Sequence, residues 1–111
     1  MSTDASTDPV IVATARSPIG RAFKGSMTEI RPDDLSAQIV TKVLEKVPEL
    51  PPEEIEDLIM RTGSPGGEQG FNIGRATAVL AGLGDVPGTT VNRYCSSSLQ
   101  TIRMAAHAIK A

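Results

Sequence analysis

One stretch of this 111-residue chain concentrates its chemistry: Val91-Asn92-Arg93-Tyr94-Cys95-Ser96-Ser97-Ser98-Leu99-Gln100. It carries the single Cys of the sequence, placed where an apolar strand pattern hands over to a helical one. In open α/β sheets, ligands sit beyond the carboxyl ends of the strands. A helix N-terminus there presents free backbone N–H groups and a partial positive charge. Both favour thiolate over thiol, which raises the nucleophilicity of Cys95 at neutral pH. The same N–H groups, that of Cys95 included, suit part of an oxyanion hole. Ser96, Ser97 and Ser98 keep the surroundings small and polar, which leaves room for a substrate. Asn92 and Arg93 are placed to hold the turn by hydrogen bonds. Against this stands the ordinary role of a lone Cys as a small buried core residue. A thiolate nucleophile also needs a base. His107, the only His, lies twelve residues along the same expected helix, ~18 Å away at ~1.5 Å per residue. It is out of hydrogen-bond reach, so any base for Cys95 lies outside this sequence.

The elements that must position Cys95 read as β-α-β-α-β-α. Residues 1–8 are small and polar with two acids and are expected to be disordered. Pro9 opens Val10-Ile11-Val12-Ala13-Thr14-Ala15, a β-branched, almost wholly apolar run. Such a run is expected as a strand buried on both faces. Arg16-Ser17-Pro18-Ile19-Gly20-Arg21 ends it with turn chemistry. Pro32-Asp33-Asp34 starts a helix, with Pro at the first position and two acids facing the positive dipole end. Leu35, Ile39, Val43 and Val47 form its apolar stripe, with Val40 and Leu44 beside them, and Pro48 ends it. Glu53-Glu54 suits one helical turn. Residues 55–62 are a second strand candidate and 63–70 a long loop. A second helix is expected from Asn72 to Leu83, using Ile73, Ala76, Val79 or Leu80, and Leu83. Gly82 and Gly84 suit its end. Residues 88–92 form a third strand. Residues 95–111 form a third helix with Leu99, Ile102, Ala106 and Ile109 on one face. Each strand-helix-strand unit is long enough for a right-handed parallel crossover. The last helix reaches Ala111 without a cap, a Gly or a Pro, as expected of a chain cut within a longer one.

Composition narrows the function classes. Eleven Lys and Arg against thirteen Asp and Glu give a net charge of −2. That balance offers no electrostatic reason to bind nucleic acid or an anionic membrane. No apolar run approaches the ~20 residues of a membrane span. The N-terminus has neither the basic start nor the apolar core of a signal peptide. One Cys excludes an internal disulfide and a multi-Cys metal site. A reducing, cytoplasmic setting is expected. Aromatics make up 3% of the chain, so Ala, Val, Ile, Leu and Met must fill the core. Residues 63–70 have neither a Gly-Lys-Ser/Thr nor a G-x-G-x-x-G pattern, which argues for an active-site-edge or interface loop, not a phosphate cradle. Arg16, Arg21 and Lys24 form a small basic cluster, read as a solvated loop before a phosphate contact. Glu53, Glu54, Glu56 and Asp57 lack metal-ligand spacing and read as a solvated face.

Three motifs in order carry a family resemblance. The Cys95 stretch resembles the nucleophile motif of the thiolases, the acetyl-CoA acyltransferases. Pro9-Val10-Ile11-Val12-Ala13-Thr14-Ala15-Arg16-Ser17-Pro18-Ile19-Gly20 resembles their opening strand and turn. Gly67-Glu68-Gln69-Gly70-Phe71-Asn72-Ile73-Gly74-Arg75 resembles the segment before their second helix. The similarity spans nearly all of residues 9–111 and is strongest to β-oxidation-type enzymes of the actinobacterial kind.

The resemblance implies an α/β fold: a truncated βαβαβα portion of a layered domain with a mostly parallel sheet. Residues 1–8 would be a tail and 9–111 a partial thiolase N-terminal domain, about three quarters of the first of two similar halves. It implies that Cys95 takes the acyl group as a thioester. The reaction would be cleavage of a 3-oxoacyl-CoA by CoA, or the reverse Claisen condensation with acetyl-CoA. No cofactor is expected, coenzyme A thioesters being substrates, and no metal. The family's activating His, its second Cys, its Asn-held water and its CoA-binding loop lie beyond this segment. The expected partners are therefore the remainder of a thiolase chain and further copies, as a homodimer or homotetramer. The isolated segment is expected to be inactive. Ser98 departs from the Gly that many thiolases carry, adding a side chain near the nucleophile. Two other readings stay open: a non-catalytic piece that folds only on a complementary chain, or a ketosynthase or hydroxymethylglutaryl-CoA synthase relative.

Overall fold

The structure, a computed structural model, describes residues 5–111. Of the expected tail, residues 1–4 lie outside the described residues. Ala5–Thr7 form a 3-10 turn, and Asp8 pairs with Lys110 at 3.1 Å.

Helix α1, Pro32–Leu44, begins where the sequence signals put it. Arg31 precedes it in extended backbone (φ −74°, ψ 137°), the conformation a following Pro imposes. The Asp33 carboxylate accepts from the Asp34 N–H at 2.9 Å, and the Arg31 guanidinium grips it in two bonds of 3.1 and 2.9 Å. The helix ends at Leu44, three residues before the expected Val47. Past Leu44 the bonds tighten to the i−3 carbonyl, Lys46 N–H to Val43 and Val47 N–H to Leu44, and Pro48 bars any continuation.

Pro52–Glu54 make the expected single turn as 3-10 helix. Strands β1, Leu58–Arg61, and β2, Gly88–Val91, pair in parallel with Leu58 opposite Gly88 and Arg61 opposite Val91. Helix α2, Ile73–Leu80, forms the crossover between them. Helix α3, Ser97–Lys110, follows β2. This is an α/β arrangement on a parallel sheet, as expected, and among the described residues the sheet has two strands.

The first expected strand, residues 10–15, does not form. Val10, Ile11 and Val12 are 73%, 76% and 74% exposed. A run that is apolar on both faces needs a neighbouring strand and a layer on each side. The β1–β2 pair takes up no third strand here.

Two helix faces also differ from expectation. On α2 the buried residues are Ile73, Gly74, Thr77 and Ala78, whereas Val79 and Leu80 are exposed. The cause is close approach. A Cβ on Gly74 would stand 2.2 Å from the Thr89 carbonyl oxygen, and one on Gly88 2.6 Å from the Arg75 nitrogen. Small residues let the helix lie against the strand backbone, so the inward face is not the most apolar one. The core joins Ala78, Leu83 and Val86 to Val40, Leu44, Ile55, Leu58 and Ala81. On α3 the expected apolar face is outside, with Leu99 71% exposed and Ile102 and Ile109 also exposed. Beyond the buried Ser97, the half-buried residues of this helix are Gln100, Thr101, Met104, Ala105 and Ala106.

Candidate active site

Cys95 is exposed, in a 3-10 turn, Tyr94–Ser96, between the end of β2 and the start of α3. The regular helix thus begins at Ser97, two residues later than expected, and Cys95 stands at its mouth. The thiol is neither sealed in the core nor placed along the helix side.

Several groups fix that turn. Arg93 has φ −129° and ψ 39°, and Tyr94 has φ 50°. A bulky residue in the left-handed region costs about 1–3 kcal/mol and persists only where its surroundings dictate it. The Asn92 side-chain oxygen accepts from the Tyr94 N–H at 2.8 Å. Ser97 is fully buried, at 0% exposure. Its hydroxyl accepts from the Arg93 N–H at 2.8 Å and donates to the Tyr94 carbonyl at 2.7 Å. The Ser96 N–H donates to the Arg93 carbonyl at 3.0 Å, and the Ser97 N–H to that of Tyr94. Gly63, just past β1, comes so near that a Cβ there would lie 3.3 Å from the Tyr94 carbonyl oxygen.

The sequence places Ser97 among the small polar residues that leave room for a substrate. The structure makes it a buried staple instead. Its spacing carried the signal: a Ser in the first helical turn bonds readily to backbone three and four residues back. Asn92 holds the turn as anticipated, and Arg93 contributes its backbone alone to the staple. Ser96 and Ser98 are exposed beside Cys95.

The 63–70 loop approaches this turn through Gly63. Its Gly67–Gln69 turn is tied back by Thr62, whose hydroxyl donates to Gln69 at 3.1 Å, and by Arg31, 3.5 Å from Glu68. Helix α2 is anchored next to it. Asn72 caps the helix by accepting from the Arg75 N–H at 3.2 Å. The same side chain accepts from the Thr90 hydroxyl at 2.6 Å and donates to the Gly88 carbonyl at 2.8 Å. Thr90 in turn accepts from the Gly74 N–H at 2.9 Å. This network locks α2 to β2, the strand that delivers Cys95.

The other titratable groups singled out in the sequence stand apart from the site, as expected. His107 is exposed in the last turn of α3. Arg16, Arg21 and Lys24 are exposed. A cleft of about 840 Å³ borders Arg16 and α1, away from Cys95. Glu53, Glu54, Glu56 and Asp57 are exposed, and among the described residues no group of acids, His or Cys is arranged to hold a metal. No helix among those residues is long and apolar enough to cross a membrane.

With an exposed thiol at the head of a helix, after a parallel strand, the chain can be set beside known proteins. Residues 9–111 match the family model described as thiolase, N-terminal domain. The chain belongs to the thiolase family. It is 48% identical over 103 residues to a 3-ketoacyl-CoA thiolase of Bacillus subtilis, covering 92% of this chain and 26% of that protein. It is 45% identical to a 3-ketoacyl-CoA thiolase of Idiomarina loihiensis, covering 92% and 27%. A beta-ketoadipyl-CoA thiolase of Acinetobacter baylyi is 44% identical over 102 residues, covering 91% and 25%. The chain thus spans about a quarter of the length of these thiolases.

Proposed function

We propose that this chain is the nucleophile-bearing segment of an acyl-CoA acyltransferase that cleaves 3-oxoacyl-CoA with CoA or runs the reverse condensation. The observation that carries the reading is Cys95, exposed at the head of α3 in a thiolase N-terminal domain. The Cys95 sulfur attacks the 3-oxo carbonyl, and its proton passes to a base outside the segment. The C2–C3 bond then breaks, and acetyl-CoA leaves as an enolate that takes up a proton. The shortened acyl group remains as a thioester on Cys95, and the thiol of a second CoA takes it off. The Ser96 and Ser97 amides are engaged by the Arg93 and Tyr94 carbonyls. That leaves the Cys95 N–H as the donor beside the sulfur, directed to the developing oxyanion. CoA thioesters are substrates, and the chemistry calls for no cofactor or metal.

His107 is on the far part of α3, so the segment alone is inactive and works with the remainder of a thiolase chain in a homo-oligomer. Its setting is the cytoplasm. The test is intact mass of the protein, at the length its reading frame encodes, after mixing with acetyl-CoA or a 3-oxoacyl-CoA. An acyl adduct that maps to Cys95 and vanishes in Cys95→Ala, with loss of turnover, is expected. Retained turnover in Cys95→Ala removes the reading. Cleavage of 3-oxoacyl-CoA by free CoA separates it from ketosynthase and hydroxymethylglutaryl-CoA synthase chemistry.

A further inference from the structure

We infer that Ser97 is a positioning residue for Cys95: its buried hydroxyl holds Tyr94 left-handed and thereby sets the aim of the next residue's sulfur and N–H. The inference rests on the reading of Cys95 as acyl carrier. Three observations from separate elements converge on Tyr94. The Ser97 hydroxyl, at the first position of α3, bridges the Arg93 N–H and the Tyr94 carbonyl at 2.8 and 2.7 Å with no exposure to solvent. Asn92, at the end of β2, fixes the Tyr94 N–H at 2.8 Å. Gly63, after β1, lets that backbone pass where a side chain would crowd it.

The Tyr94 ring is itself exposed, so it does not buy the strain back by packing. Without the hydroxyl, the Arg93 N–H is left unmet and the Tyr94 carbonyl keeps only the bond from the backbone N–H of residue 97, so φ of Tyr94 is free to relax toward negative values. Because Cys95 is the next residue, a change at φ and ψ of Tyr94 swings its sulfur and its N–H together. Misplacement of reacting atoms by ~1 Å costs up to about a hundredfold in rate. Ser97 is sealed from solvent and both its hydroxyl bonds go to backbone, so its effect passes through the turn.

A Gly at position 94 occupies the left-handed region without penalty and so needs no staple. The experiment compares Ser97→Ala, Ser97→Ala with Tyr94→Gly, and Cys95→Ser in the protein at its encoded length. It reads the rate of Cys95 acylation by acetyl-CoA, the rate of labelling by iodoacetamide, and the thermal midpoint. Ser97→Ala is expected to acylate at least tenfold more slowly, and the added Tyr94→Gly to recover most of that loss. Acylation of Ser97→Ala within twofold of the parent overturns the inference. So does a loss that Tyr94→Gly leaves uncorrected, including a double variant that neither folds nor acylates. If the parent itself takes no acyl group, the acyl-carrier reading falls. The iodoacetamide rates then decide on Ser97: slowing in Ser97→Ala with recovery in the double variant upholds the positioning, and equal rates overturn it.

Discussion

Replacing Gly74 by Ala sets two physical effects of opposite sign against each other. Ala is favoured over Gly within a helix by about 1 kcal/mol, so propensity alone makes the variant more stable. The packing of α2 on β2 says otherwise. The new Cβ would lie 2.2 Å from the Thr89 carbonyl oxygen and 2.7 Å from its carbon, both backbone atoms that cannot rotate away. Carbon contacts are comfortable near ~3.5 Å, so the helix must retreat by roughly 1 Å. Retreat stretches the bond from the Gly74 N–H to Thr90 and the bond from Asn72 to the Gly88 carbonyl. Overpacking costs about 1–3 kcal/mol and each weakened bond about 1 kcal/mol. Set against the helix gain, the variant is destabilised by about 2–4 kcal/mol. Gly66→Ala is the control: its backbone is extended at φ 178°, and nothing lies within 4 Å of the new Cβ. The assay is thermal unfolding of parent and both variants in the protein at its encoded length. A Gly74→Ala protein that melts at or above the parent would refute the close-approach argument.

Three further outcomes follow from the same contacts. Asn72→Ala loses the α2 cap and the bonds to Thr90 and Gly88, which destabilises by about 2 kcal/mol. Denaturant titration checks this, and pairing it with Thr90→Val should give less than the sum of the two. The Arg31 guanidinium, bonded to Asp33, holds that carboxyl below the ordinary range near ~4. Its contribution is therefore present above that range and lost as pH falls through the lowered value. Thermal midpoints followed into acid should drop for the parent and stay flatter for Asp33→Asn, which starts lower at neutral pH. A steeper acid loss in Asp33→Asn contradicts the pairing. The isolated 111-residue chain, with residues 10–12 and the outer face of α3 exposed, should oligomerise or melt without a cooperative step. A sharp transition from a monomer, seen by light scattering and calorimetry, overturns that expectation.

The parts of the fold legible in the sequence are those set by local chemistry. Pro32 with Asp33 and Asp34 marked the start of α1, Glu53-Glu54 a short turn, and Asn72 the point where α2 begins, because each acts on backbone within four residues. The strand at 10–15 was not decided locally: its apolar run states a need for neighbours, and the neighbours are a matter of the sheet. The faces of α2 and α3 were misread for a related reason. Hydropathy weights Val79, Leu80, Leu99 and Ile102, whereas on α2 it is Gly74 and Ala78 that turn inward, because backbone contact selects small volume. At the site, the position of Cys95 after β2 was legible from the order of elements. The role of Ser97 was not, since three consecutive Ser residues look alike until the helix register sends one inward and leaves two outside.

All three aromatic residues of the chain, Phe23, Phe71 and Tyr94, hold positive φ and lie exposed. With no Trp and one Tyr in these 111 residues, the segment has a single strongly emitting side chain, and it is bonded to the residue that carries the sulfur. The tyrosine emission and near-ultraviolet dichroism of this segment therefore report on the mouth of α3. Release of the turn in Ser97→Ala becomes an optical signal that needs no attached dye.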